Sequence, residues 1–213
     1  MSISTMLRGT FAAVAALSLA ACGINSVPTA EEAAKAKWAD VEAQFQRRAN
    51  LVNNLAEVTK GAGQNERAIL TGVTEARAKA TSVNITADDL GDPAKMEQFA
   101  AAQSELSAGI GRLLVSVEAY PDIKSNQNFI ALQSQLEGTE NRIAIARRDY
   151  NQTAQTYNTT LRTFPQVIWA NTMYSGQKPA QLFQAAASAQ SAPTVDFGAP
   201  PAPTVPAPTV PAP

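Results

Sequence analysis

The chain has 213 residues, a formal net charge of −1, 45% hydrophobic and 16% charged residues, one Cys and no His. A single Cys excludes an intrachain disulfide and a thiolate zinc cluster, and the missing His removes the commonest general base and metal ligand. A near-neutral chain lacks the basic face that a phosphate backbone requires, so nucleic acid is not expected as a partner.

Met1–Arg8 is a short polar stretch with one cation, Arg8, and Thr10–Ala21 is an apolar run rich in Ala and Leu. A membrane span needs about 20 such residues, so the run fits the apolar segment of a secretory signal instead. It ends Leu19-Ala20-Ala21-Cys22-Gly23, which resembles the bacterial lipobox. The resemblance implies cleavage before Cys22 and lipid attachment, palmitate included, at that residue. The mature chain then faces the periplasm. More than one acyl chain gives a stable anchor. Gly23 in place of Asp favours the outer membrane over the inner by the sorting rules of enterobacterial lipoproteins. An ordinary signal peptide with a chance Cys, or an uncleaved helix, stays open as the alternative. The expected division is a signal peptide over 1–21, a lipidated tether over 22–28, a helical bundle over 29–187 and a disordered Pro/Ala-rich tail over 188–213.

The first helix is expected near Thr29, after Pro28, with Trp38, Val41, Phe45, Val52 and Leu55 at spacings of three and four on one face. Gly61 and Gly63 stop it. Asn65 caps a second helix, with Glu66 at its positive end, Ile69, Val73, Ala76 and Ala80 as its stripe, and Glu75–Lys79 as an exposed pair. Asp92-Pro93 reads as cap and first residue of a third helix. That helix carries Phe99, Leu106, Ile110, Leu113, Val117 and Tyr120, with a polar gap at Gln103. Ser125 caps the longest helix, whose seam runs Phe129, Leu132, Leu136, Thr139, Ile143, Ala146, Tyr150, Ala154, Tyr157, Leu161 and Phe164. Pro165 breaks it, and a short amphipathic piece, Gln166–Tyr174, follows.

Eight of the thirteen prolines lie between Pro193 and Pro213. Pro donates no amide hydrogen and restricts its neighbour, so an extended, partly polyproline-II segment is expected there. It serves as a spacer or docking strip, or as an inert solubilising tail.

Several helices with one apolar stripe each must bury those stripes together. The expected fold class is all-α: an elongated antiparallel bundle of four main helices plus a short C-terminal helix. The near-heptad spacing gives it coiled-coil character.

The segments Gln46-Arg47-Arg48-Ala49-Asn50-Leu51, Val58-Thr59-Lys60-Gly61, Thr74-Glu75-Ala76-Arg77-Ala78, Tyr120-Pro121-Asp122-Ile123-Lys124 and Phe129-Ile130-Ala131-Leu132-Gln133 occur in that order. They continue in Glu137-Gly138-Thr139-Glu140-Asn141-Arg142-Ile143-Ala144, Ala146-Arg147-Arg148-Asp149-Tyr150-Asn151, Tyr157-Asn158 and Thr163-Phe164-Pro165. Together they resemble the LemA family, from about Ile24 to Phe183. The resemblance implies a helical bundle, attachment to a membrane, unidentified envelope proteins as partners, no cofactor and no established enzymatic activity. Relatives are often anchored by an uncleaved N-terminal helix, which the lipobox replaces here. Asn50-Leu51-Val52-Asn53-Asn54-Leu55 stands where relatives tend to read Asp-Leu-Ile-Pro-Asn-Leu, so this helix lacks a Pro and is expected to be straighter.

Arg48 falls on the seam of the first helix and Glu140 beside the seam of the long fourth one. In an antiparallel pair the two meet, with Asn141 or Arg142 completing a polar layer, either as a register-setting device or as a partner contact. No catalytic or metal residue is expected. Asp88, Asp89 and Asp92 lack the twelve-residue calcium spacing and read as helix caps and solvated loop. Trp169 and Tyr174 rest on a membrane or a partner, or pack onto the bundle end. The lipobox and the LemA resemblance together imply a non-catalytic scaffold or adaptor for cell-envelope proteins. A chaperone-like holder of envelope polypeptides requires an exposed apolar groove, and a hydrolase requires a cleft with perturbed carboxylates.

Overall fold

The computed structural model describes residues 23–60 and 64–184. The signal segment, Cys22, Gly61, Gly63, the side chains of Asn65 and Glu66, and the Pro-rich tail lie outside the described residues. The elements are α1 (Ser26–Thr59), α2 (Gln64–Ser82), a 3-10 helix (Ala87–Gly91), α3 (Pro93–Val117), α4 (Pro121–Lys124), α5 (Gln127–Thr160) and α6 (Gln166–Thr172). The fold is an all-α bundle with four main helices, and there is no strand among the described residues.

α1 and α5 form one antiparallel pair, packed along much of their 34 residues, or about 50 Å each. Trp38 meets Tyr150 and Arg48 meets Glu140 along it. α2 and α3 form the second pair. Its closeness comes from small residues: a Cβ built on Gly109 would stand 3.5 Å from a methyl of Val73 and 3.9 Å from that of Ala76. Arg77 crosses from α2 to α1, its Nε donating to the Ala49 carbonyl at 2.8 Å.

The stripes lie where the 3–4 spacing places them. Trp38, Val41, Val52, Leu55, Val73, Leu106, Leu113, Phe129, Leu136 and Tyr150 are all buried. Asp92 caps α3, accepting from the amides of Ala94 and Lys95 at 2.9 and 3.3 Å. α1 runs unbroken through Asn50–Leu55.

The structure departs from expectation at several points. α1 begins at Ser26, ahead of Thr29, because Pro28 falls in its first turn, where an amide donor needs no partner. α5 is capped by Asn126, not Ser125: the Asn126 side chain accepts from the Asn128 amide at 2.9 Å, and the Ser125 hydroxyl donates to the Asp122 carbonyl instead. α5 ends at Thr160, so Phe164 leaves the seam and is 80% exposed. Lys79 pairs with Glu105 of α3 at 2.5 Å instead of with Glu75, because the close α2–α3 approach brings that carboxylate nearer.

The core has two parts. One gathers Trp38, Phe45, Phe99, Tyr150 and Tyr157 with Val27, Val41, Ile85, Leu90 and Ile143. The other is almost wholly aliphatic, built on Leu51, Val52, Leu55, Val73, Leu106, Ile110, Leu113, Val117 and Leu136.

Candidate functional site

Arg48 stands between the two parts of the core. Its side chain is only 2% exposed, yet it carries a charge. Nη1 donates to Ser107 Oγ at 2.7 Å and to Glu140 Oε1 at 3.0 Å. Nη2 donates to the side-chain and main-chain oxygens of Gln103 at 2.6 and 3.1 Å. The guanidinium lies 5.0 Å from the centre of the Phe45 ring. Gln103 in turn donates to the Ala80 carbonyl at 3.2 Å, which ties α2 into the same layer. Four helices therefore meet at one fixed register. The polar gap in the α3 stripe at Gln103 is the acceptor that this arginine needs.

Glu140 is half exposed, so the pair has one buried and one wet end. Asn141 and Arg142 do not join it. Both are exposed, because each step along α5 turns about 100° and carries them away from the Thr139–Ile143 seam. Gln103 and Ser107 of α3 take the places expected for Asn141 and Arg142. Arg147 lies close by on α5, with its guanidinium 4.6 Å from the Phe183 ring centre. Burial, and then the Arg48 charge, push the Arg147 guanidinium below its usual value, against the pull of Glu140.

A second constellation was not anticipated. After α6 the chain returns as an extended strap, Gln177–Phe183, along α5. Asn158 reads both backbone groups of Ala180, donating to its oxygen and accepting from its amide at 2.8 Å each. Asn151 does the same with Phe183 at 2.9 Å each. The spacing explains the match: seven helical residues rise about 10.5 Å and three extended residues reach about 10 Å. Tyr150 donates to the Gln181 carbonyl at 2.9 Å, and Tyr157 to Gln177 Oε1 at 3.0 Å. The sequence carries the signal as a Tyr-Asn pair at 150–151 repeated at 157–158. The strap ends with the Phe183 ring stacked on Trp38, centroids 5.6 Å apart.

Beside the strap is an open groove of about 490 Å³ whose lining includes Glu31, Lys35, Asp88, Tyr157, Gln177 and Lys178. Its charges are engaged: Lys35 pairs with Glu31 at 2.8 Å, and Glu31 accepts from Gln177 at 2.7 Å. Burial and the Glu31 carboxylate push the Tyr157 phenol up to about 12, so it serves as a neutral donor. Asp89 accepts from the Thr86 amide and hydroxyl and pairs with Lys95, so it acts as a cap.

An antiparallel four-helix bundle set in register by a buried arginine, with an asparagine-held strap, is the class that these features define. The chain matches the LemA family over residues 37–197, and it belongs to that family. It is 29% identical over 176 residues to the Magnetosome protein MamQ 2 of Paramagnetospirillum magneticum, covering 75% of this chain. It is 28% identical over 175 residues to the Magnetosome protein MamQ of Magnetospirillum gryphiswaldense, again over 75% of this chain. The matched region spans 64% of the length of each of these relatives.

Proposed function

We propose that the chain is a membrane-anchored lipoprotein of the bacterial cell envelope that acts as a non-catalytic scaffold or adaptor. Cys22 carries the lipid, the bundle faces the periplasm, and the outer membrane is favoured over the inner. Membership of the LemA family supports the envelope setting. Among the described residues no helix is long and apolar enough to cross a membrane. In this reading the attachment is the lipobox-like segment that ends at Cys22.

The observation that carries the non-catalytic reading is where the buried polar side chains point. Arg48, Gln103, Thr59 and Thr139 are buried, and each bonds inward to the bundle: Arg48 and Gln103 across helices, Thr59 and Thr139 to the carbonyls of Leu55 and Gln135. Such groups fix a shape; none is held at a cleft for substrate. A rigid rod at a membrane presents partners at a set distance, and unidentified envelope proteins are those partners.

Two measurements test this in the full chain expressed in cells. Radiolabelled palmitate should enter the protein and be lost in Cys22→Ser. In vivo crosslinking with mass spectrometry should recover envelope proteins enriched over the Cys22→Ser control. Recovery of monomer alone from the anchored chain would defeat the scaffold reading.

A further inference from the structure

We infer that the bundle end bearing α6 rests on the lipid surface, with Phe164, Ile168 and Met173 entering it. This rests on the Cys22 anchor proposed above and deepens it.

Gly23 is buried against α6: a Cβ built on it would stand 3.4 Å from Pro165 Cγ and 3.6 Å from Trp169 Nε1. Cys22 is the preceding residue, about 3.8 Å away between Cα atoms. A lipid on Cys22 is therefore rooted beside α6, and no free tether separates the bundle end from the bilayer.

The surface there suits that neighbour. Phe164 is 80% exposed, Met173 60% and Ile168 47%. The other large exposed apolar residues of the helices, Val115, Ile130 and Ile145, lie on α3 and α5. Between Arg162 and Lys178 the sequence holds no charged residue, and these two exposed cations flank the stretch where lipid phosphates would meet them. Two polar side chains of α6 bond back to its own backbone: Asn171 donates to the Val167 carbonyl at 2.9 Å and Thr172 to that of Ile168 at 2.7 Å. Drying this face strands few donors. The indole N–H of Trp169 is buried against Gly23, with no acceptor among the described residues, so Trp169 ties α6 to the residue after Cys22 and leaves Phe164, Ile168 and Met173 as the apolar groups offered outward.

The test uses the full lipidated chain in vesicles of phosphatidylethanolamine and phosphatidylglycerol. An environment-sensitive fluorophore is attached to Phe164→Cys, Ile168→Cys, Met173→Cys or, as a control, Val115→Cys. All four positions are exposed, so labelling leaves the core alone. The unsubstituted chain should take no label, because a lipidated Cys22 has no free thiol. The first three probes should brighten at least twofold and be quenched by lipids spin-labelled near the headgroup, and the Val115→Cys probe should do neither. A blocked native thiol with all four probes in water would overturn this inference and leave the anchor standing. A reactive native thiol would overturn the anchor and this inference with it. Energy transfer between copies without lipid quenching would assign the face to a second copy, and so overturn it too.

Discussion

The two parts of the core solve the same burial problem with different chemistry. The aliphatic part packs Leu, Val and Ala stripes from four helices, with Phe129 as its one aromatic ring. The aromatic part sets Trp38, Phe45, Phe99, Tyr150 and Phe183 at centroid distances of 5.2 to 6.5 Å. Its rings bring polar handles that must find partners: Trp38 donates to the Ile85 carbonyl at 3.2 Å and Tyr150 to that of Gln181. The aromatic part can therefore hold non-helical chain, the Ser82–Ala87 connection and the strap, whereas the aliphatic part can hold only helices. Rings with polar edges give irregular backbone a place in the fold.

Substitution in each part should separate the two chemistries. Trp38→Ala removes the ring that touches Phe99, Tyr150 and Phe183, and it leaves the Ile85 carbonyl without its donor. The expected loss is about 3–5 kcal/mol. Leu106→Ala, fully buried in the aliphatic part, should cost about 3 kcal/mol. Urea unfolding measures both. Hydrogen exchange should show strap amides exposed in the first variant and protected in the second; equal protection in both would erase the distinction drawn here.

The boundary is the next place to press. Arg48→Met leaves Gln103 and Ser107 without their shared donor, and about 3 kcal/mol should be lost. Glu140→Gln should cost only about 1 kcal/mol, because that carboxylate is half exposed and water screens it. The burial of the pair is one-sided, and so is the expected effect. Equal losses in the two variants would show that Glu140, and not Gln103, satisfies the buried charge.

Much of this was legible in the residues. Apolar spacing of three and four places α1, α3 and α5, because a helix stripe is a local pattern that packing reinforces. Arg48 and Glu140 could be paired from their heights on two antiparallel rods. Asn141 and Arg142 were misplaced because adjacency in sequence is not adjacency on a helix face. Gln103 and Ser107 escaped because they belong to a third helix, whose rotation about its axis only packing fixes. The strap was hidden for a different reason. Gln177–Phe183 has no periodic stripe, since its order comes from Asn side chains 22 to 32 residues away in sequence.

Those asparagines give a smaller and more local effect. Asn151→Ala and Asn158→Ala each remove a pair of hydrogen bonds to the strap backbone. Each should cost about 1–2 kcal/mol. The double variant should free the strap, so that limited proteolysis cuts within 177–183 while the helices stay intact. Cleavage in the loops between helices before the strap would mean that the strap does not report local opening.

The smallest effect at neutral pH is the most diagnostic at high pH. Tyr157 holds its proton up to about 12 in the folded chain because burial and Glu31 disfavour the phenolate, whereas an unfolded tyrosine titrates near 10. Below pH 10 both states are protonated and the contribution is constant. Above it the unfolded chain releases its proton first, so stability falls as pH rises toward 12. Burial pushes Tyr150 up as well, and its loss has the same sign. Tyr157→Phe should cost about 1 kcal/mol at pH 8, from the donor lost to Gln177 and Lys178. It should also shallow the decline in urea midpoint between pH 10 and 12. The aliphatic variant Leu106→Ala should keep the full slope, since no titrating group belongs to its part of the core. A slope unchanged by Tyr157→Phe but removed in the Tyr150→Phe, Tyr157→Phe double variant would assign the alkaline sensitivity to Tyr150, and a slope unchanged in both would place it outside the aromatic part.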